Sequence, residues 1–245
     1  MRLQKFLAMC TDSSRRNCES AIISGEVAVN GVIAKIGTCI NPESDVISWN
    51  GQTVSYKAFE NRKDPLVIVL NKPSGYVCSH FDRYNKRTIF DLIPKEFAKG
   101  KLLFCGRLDK DTEGMLIITN DGNFAQMITH PSNGIRKHYE VIVSRRPTEE
   151  IIRKAISGIN DGGDFLKFEK ITQIGRGNMK NLVFEVELAQ GKKNEIHRVF
   201  EHFGIFVESL KRTRIGNLTL RGISLGRCKK LTQKEIGLLL AKQAT

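Results

Sequence analysis

The chain has 245 residues, 40% apolar and 27% charged, with a formal net charge of +13. That length supports one or two domains with real cores, and the ordinary apolar share excludes a disordered tail or a fibrous protein. The basic excess points to a polyanionic partner, while the absence of a signal-like start or a long apolar run predicts a soluble, cytoplasmic protein with no membrane contact.

Residues 1–60 carry six Lys/Arg and six Asp/Glu, so the excess falls entirely after them; Gly191–Lys230 holds ten basic residues against three acidic. Such a local excess fits a nucleic-acid track. None of the six cysteines shows Cys-x-x-Cys spacing, and several sit in apolar runs. They read as buried thiols in a reducing compartment, with no disulfide frame or zinc site.

In chain order, Leu3, Phe6, Leu7 and Cys10 recur at helical spacing. Thr11 to Ser14 break that helix and offer caps for a second one near Arg15–Ser24, with Cys18, Ala21 and Ile22 inward and Gly25 as its stop. Short strands follow, with Asn30-Gly31 and Asn50-Gly51 as two-residue hairpin turns. Residues 1–56 thus read as a small domain of two helices and a twisted sheet. Residues 57–65 are polar, end in proline and read as a linker.

The second part, 66–245, opens on a buried strand, Leu66–Leu70, stopped by Asn71-Lys72-Pro73-Ser74-Gly75. Thr88–Pro94 reads as a short capped helix and Leu102–Phe104 as a strand. Gly106 to Thr112 form a polar loop, and Met115–Ile118 a second apolar strand closed by Asn120-Asp121-Gly122. Helices are expected at Gly122–His130 (apolar set Phe124, Ala125, Met127, Ile128), Thr148–Ser157, Asn194–Phe203 and after a capping box at Thr232–Glu235. Strands are expected at Lys137–Val143, Phe165–Ile174, Leu182–Leu188, Val207–Arg212 and Ile215–Leu220, with a turn at Gly175–Asn178. Many strands with helices between them give an α+β class.

The loop between the two apolar strands carries Asp109, flanked by Arg107 and Lys110. Buried strands fix a loop's ends, so its side chains can be aimed. Apolar walls disfavour a charged carboxylate unless a cation stands near, so a cationic neighbour for a dry Asp109 is expected.

Two resemblances carry function. Gly106-Arg107-Leu108-Asp109, Asp111-Thr112-Glu113-Gly114, the apolar strand and Thr119-Asn120-Asp121-Gly122 resemble, almost residue for residue, the catalytic-loop motif of the bacterial ribosomal RNA pseudouridine synthases. Asn71-Lys72-Pro73 and Leu210-Lys211-Arg212-Thr213-Arg214-Ile215-Gly216 are similar to further segments of that family, and the latter favours its large-subunit type. The first 55 residues resemble the S4 RNA-binding domain through Arg2–Ala8, Ser14-Arg15-Arg16 and Gly25–Gly31.

The resemblance implies the pseudouridine synthase fold, a mixed, mainly antiparallel sheet flanked by helices. It implies isomerisation of a ribosomal RNA uridine, with Asp109 essential as nucleophile or proton acceptor. Breaking the N1–C1′ bond and rejoining the ring through C5 needs no redox change or group donor, so no cofactor or metal is expected. Tyr139 falls on the tyrosine that stacks on the target base, and Leu210 on the apolar residue beside it. Arg107 falls on a residue that fills the gap left by a flipped base, or else pairs within the loop.

One segment departs from the family. Where Gln-Ile-Arg-Arg is usual, this chain has Glu195-Ile196-His197-Arg198. His197 stands at the position of the cation that pairs with the aspartate, and a protonated imidazole can fill that role. His197 and Arg198 are therefore expected at the substrate. The S4 resemblance implies that Arg2, Lys5, Ser14, Arg15, Arg16 and Asn30 contact RNA; Arg15 and Arg16 open a helix, whose N–H groups also attract phosphate, and Lys5 can join them. The partner expected is a structured ribosomal RNA stem-loop, bound by a monomer. The competing reading is an RNA-binding assembly factor with weakened or lost catalysis, suggested by the altered segment; a metal-dependent nuclease is disfavoured by five scattered histidines.

Overall fold

The computed structural model describes residues 1–11, 13–55, 66–98, 100–175 and 182–241. The chain divides into two compact units, Met1–Pro65 and Leu66–Thr245. The linker expected at 57–65 lies outside the described residues, as does most of the turn expected at 175–178. Among the described residues no helix is long and apolar enough to cross a membrane.

In the first unit, α1 (Leu3–Cys10) and α2 (Arg15–Ile23) share one apolar core with a four-stranded antiparallel sheet. Its strands β1 (Val27–Val29), β2 (Val32–Ile33), β3 (Ile47–Trp49) and β4 (Gln52–Thr53) run in the order β2-β1-β3-β4. The Ser14 hydroxyl accepts the Asn17 N–H at 3.1 Å and so caps α2. Both Asn-Gly pairs adopt positive φ at each residue (Asn30 52°, Gly31 79°, Asn50 50°, Gly51 77°), the backbone that matches a two-residue hairpin to the strand twist.

The second unit is built on a nine-stranded sheet. Its strands are β5 (Val67–Lys72), β6 (Leu103–Cys105), β7 (Glu113–Thr119), β8 (Lys137–Val143), β11 (Lys170–Gln173), β12 (Val183–Leu188), β13 (Val207–Ile215), β14 (Leu218–Thr219) and β15 (Cys228–Lys230). The main path is β11-β12-β8-β13-β7-β5-β15, with β14 on β13 and β6 on β7. Every pairing is antiparallel except β13 with β7. Each face of the sheet has its own core. Ile68 and Leu70 of β5 and Leu116 and Ile118 of β7 enter one; Val67, Val69, Met115 and Ile117 enter the other. Burial on both faces explains why these strands read as unbroken apolar runs. The helices are α3 (Gly122–Thr129), α4 (Glu149–Ser157), α5 (Glu195–His202) and α6 (Gln233–Leu240).

Several expectations are corrected. β5 does not stop at Asn71: Asn71 and Lys72 continue the strand and are buried. The single strand expected at Phe165–Ile174 is two. A separate hairpin joins β9 (Ile159–Asp161) to β10 (Asp164–Leu166), and β11 begins only at Lys170. Leu166 at the end of β10 and Phe168 after it are both fully buried, and the Phe168 N–H donates to the Ala155 carbonyl at 2.9 Å, so the chain turns there to pack on α4. The two strands expected at Val207–Leu220 are one long strand and a short one; a register shift between Arg212 and Arg214 absorbs the polar residues that looked like a break. Met127 is 44% exposed, not core. Of the cysteines, all free, only Cys18 and Cys105 are buried, and Cys39 is exposed.

Candidate active site

β6 and β7 pair antiparallel (Leu103↔Thr119, Cys105↔Ile117), so the loop at residues 106–112 is anchored at both ends by buried strands. Its underside is held by Lys72. That side chain is fully buried at the end of β5, and its Nζ donates to the carbonyls of Pro73 (3.1 Å), Lys110 (3.0 Å) and Thr112 (2.7 Å). Burial pulls the ammonium's pKa below the ordinary lysine value, against the opposing pull of nearby acidic groups. Three carbonyls match its three N–H donors. The Gly75 N–H adds a bond to the Lys110 carbonyl at 2.9 Å, and the Leu108 N–H one to Cys78 Sγ at 3.4 Å.

Gly114 sets where β7 meets β13. Its φ is +104°, and a Cβ there would lie 2.2 Å from the Arg212 carbonyl oxygen. Only glycine lets the two strands close in parallel at Lys211↔Glu113 and Arg212↔Gly114. That step brings β13 against the loop.

A cleft with about 170 Å³ of room opens beside the loop. Asp109, Arg107, Tyr139, His197 and Leu210 all line it. Five of the residues singled out in the sequence, from four separate stretches of chain, thus converge. Tyr139 (7% exposed) and Leu210 (8%) form buried walls, whereas Arg107 and Asp109 are exposed at the mouth.

The expected dry, cation-paired Asp109 is not what forms. Among the described residues no ion pair joins its carboxylate to a cation, His197 included. The partner is Asn194. With its NH₂ turned toward the carboxylate, the orientation that satisfies both groups, the amide nitrogen lies 3.0 Å from Oδ2 and 3.3 Å from Oδ1. Asn194 precedes α5 in the left-handed region (φ 51°, ψ 30°), a conformation asparagine tolerates better than most residues. Glu195, which replaces the family glutamine, is 2% exposed. Its carboxylate accepts the Lys192 N–H at 2.9 Å and the Gln190 Nε2 at 3.2 Å, closing the first turn of α5, and burial raises its pKa.

Arg198 is engaged elsewhere. It pairs with Asp161 at 2.5 Å and Asp164 at 2.8 Å, stapling α5 to the β9–β10 hairpin beside a neighbouring hollow. Its expected substrate contact is displaced by these two carboxylates.

Two buried cations at the cleft were not singled out by sequence. Arg212, 4% exposed, lies opposite Tyr139 in the β13–β8 register. Its Nε donates to the Met115 carbonyl at 2.7 Å and Nη1 to the Tyr139 hydroxyl at 3.4 Å; Nη2 meets no acceptor. Lys137, 8% exposed, donates to the Ala189 carbonyl at 3.3 Å, and burial brings its pKa down to about 8. Lys137 and Tyr139 share one face of β8 by strand alternation, which is the signal that could have placed Lys137 at the site.

In the first unit, Arg15 and Arg16 are exposed at the start of α2, and Lys5 is half-buried on α1. Three other expected RNA contacts serve the domain itself. Arg2 donates to the Gly37 carbonyl, and Ser14 caps α2. The Asn30 amide donates to Asp45 at 3.0 Å and accepts the Val46 N–H at 2.8 Å.

Residues 66–202 match the family model of RNA pseudouridylate synthase, and residues 1–46 that of the S4 domain. The chain is 34% identical over 239 residues to ribosomal large subunit pseudouridine synthase B of Vibrio vulnificus, covering 97% of this chain and 74% of that one. It is 36% identical over 237 residues to the dual-specificity RNA pseudouridine synthase RluF of Escherichia coli, covering 96% and 77%. A crystal structure of a pseudouridylate synthase superposes with a TM-score of 0.66 at 28% identity, over 98% of this chain and 99% of the other.

Proposed function

Because the chain belongs to the RNA pseudouridylate synthase family, we propose that it isomerises a uridine of large-subunit ribosomal RNA to pseudouridine. The observation that carries this reading is the convergence of Asp109, Tyr139 and Leu210 on one cleft.

The reaction breaks C1′–N1, turns the ring and joins C5 to C1′, with the C5 proton lost and one taken up at N1. The target uridine leaves its stack and enters the cleft. Tyr139 stacks on the ring, Leu210 closes its apolar side, and Arg107 at the mouth fills the vacated place in the RNA. Asp109 acts at the sugar, as nucleophile on C1′ or as acceptor of a sugar proton. Asn194 aims the carboxylate, and His197 lies across the same cleft. Arg15, Arg16 and Lys5 hold the phosphates of a folded RNA stem-loop. The protein acts as a monomer in the cytoplasm, where ribosomal RNA is made.

Incubating the full chain with unmodified transcripts of large- and small-subunit ribosomal RNA, followed by pseudouridine mapping, tests this. One new pseudouridine in the large-subunit transcript is expected, and none with Asp109→Asn. Tight binding to the large-subunit transcript without any isomerisation would instead support an assembly factor.

A further inference from the structure

Two buried cations with few partners line the cleft, and the roles above use neither. Arg212 is 4% exposed and leaves Nη2 without an acceptor. Among the described residues the Lys137 ammonium donates only to the Ala189 carbonyl, with Glu195 as its acidic neighbour. The single buried carboxylate at the cleft, Glu195, is spent on Lys192 N and Gln190. A buried guanidinium with an empty N–H is costly unless something fills it. Arg212 lines the cleft, so a hydrogen-bond acceptor seated there is the candidate to fill it once the side chain shifts toward it.

The reaction supplies such a group. When C1′–N1 breaks, both bonding electrons leave with the ring. The uracil becomes an anion whose charge is shared by N1, O2 and O4, while C1′ is captured by Asp109 or relieved of a neighbouring proton by it. After the ring turns, C5 returns the electron pair to C1′ as Asp109 leaves that carbon (or as the sugar recovers its proton from Asp109); the C5 proton is then lost to solvent and N1 takes one up, so the sequence is a net isomerisation. The negative charge exists only between the two bonds. Fixed donors aimed at developing charge in a site sheltered from water are an effective way to lower such a barrier.

Resting on the isomerase reading, we infer that Arg212, with Lys137 beside it, binds a carbonyl oxygen of the target uracil and holds the charge the ring carries after C1′–N1 cleavage. The placement supports this. Tyr139 stacks on the ring, and the Arg212 guanidinium lies 5.9 Å from the Tyr139 ring centroid, held by Met115 O and the tyrosine hydroxyl. A ring seated on Tyr139 therefore lies beside the Arg212 guanidinium, whose unfilled Nη2 needs a small shift of the side chain to meet it. Asp109 at the mouth is itself negative and repels the departing anion, so a cationic floor behind the ring offsets that repulsion. Arg212 is thereby a catalytic residue in its own right and not solely a support for Tyr139.

Single-turnover release of tritium from a [5-³H]uridine-labelled large-subunit transcript, using the full chain, decides it. Arg212→Gln is expected to slow the chemical step by about 10²-fold with RNA affinity within threefold of wild type, and Arg212→Lys to recover part of the rate. The Arg212→Gln loss persists in a Tyr139→Phe background, where no hydroxyl remains to be held. A loss that vanishes there, or an Arg212→Gln rate within threefold of wild type, overturns the assignment while leaving the isomerase reading intact. A wild-type chain that releases no tritium overturns both. If Arg212→Gln does not fold, Lys137→Met carries the test: a chemical step slowed at least tenfold with unchanged RNA affinity supports the cationic floor, and an unchanged rate overturns it.

Discussion

With its NH₂ turned toward Asp109, the Asn194 amide spans both carboxylate oxygens, at 3.0 and 3.3 Å. A neutral donor, not a cation, therefore faces the carboxylate proposed above to act on the substrate. An amide fixes direction without neutralising charge, which suits a group that must remain an effective nucleophile or base. Asn194 holds this place from a left-handed backbone at the N-cap of α5, where its side chain makes no cap of its own.

Replacing Asn194 separates backbone from amide. Asn194→Gly keeps the positive φ and removes the donor; turnover is expected to fall about tenfold with KM within threefold. Asn194→Asp places a second carboxylate against the first, which raises the pKa of the pair. The acid limb of its pH–rate profile is expected at higher pH than in wild type. Identical acid limbs would show that Asn194 does not act on Asp109.

Lys72 ties β5 to the far side of the same loop through the carbonyls of Pro73, Lys110 and Thr112. Lys72→Met removes the ammonium from the Pro73 and Thr112 carbonyls, while the Lys110 carbonyl keeps the Gly75 N–H. Stability is expected to drop by about 3 kcal/mol, in line with the cost of stranding buried partners of a charged group, and turnover to drop as the loop loosens. Urea titration and steady-state kinetics on the same sample check both.

Lys137 gives a pH signature. Its folded pKa, about 8, is below the ordinary 10.5, so between those values the native state binds fewer protons than the unfolded one. Unfolding free energy therefore rises with pH across that window, because the penalty for a buried ammonium is present below pH 8 and relieved above it. Activity should move the opposite way, since the charge assigned to Lys137 is lost as pH rises through 8. Its charged neighbours are Arg212, Glu195 and Arg136. Lys137→Met is expected to raise the melting temperature at pH 7, to lower activity, and to lack the alkaline limb near pH 8.

Gly114 is fixed by strand geometry. With φ +104° and the Arg212 carbonyl 2.2 Å from any Cβ, Gly114→Ala must push β13 away from β7. A loss of at least about 2 kcal/mol is expected from strain of this kind, with activity lost in step because Arg212 moves with β13. Calorimetry and activity assays would expose a tolerated substitution at once.

The periodic parts of the fold were legible in the sequence. Helices showed in Leu3, Phe6, Leu7 and in the Thr232–Glu235 box, and hairpins in Asn30-Gly31 and Asn50-Gly51. The main strands appeared because they are buried on both faces. What stayed hidden depends on tertiary contact. Lys72 looked like a strand stop because an ammonium rarely lies in a core, and it fits only through its neighbour's carbonyl at Pro73 and two from a distant segment, Lys110 and Thr112. The bulge after Arg212 read as a chain break for want of its partner strand. At the site, Asp109, Tyr139 and Leu210 were legible as motif positions. The choice of Asn194 over His197 was not, because it turns on one residue's backbone angle.

The most direct measurement is a pseudouridine map of ribosomal RNA from cells lacking this protein, complemented with wild type or with Asp109→Asn. The account predicts that one large-subunit pseudouridine disappears on deletion, returns with wild type and stays absent with Asp109→Asn. Full return of the modification with Asp109→Asn would contradict it.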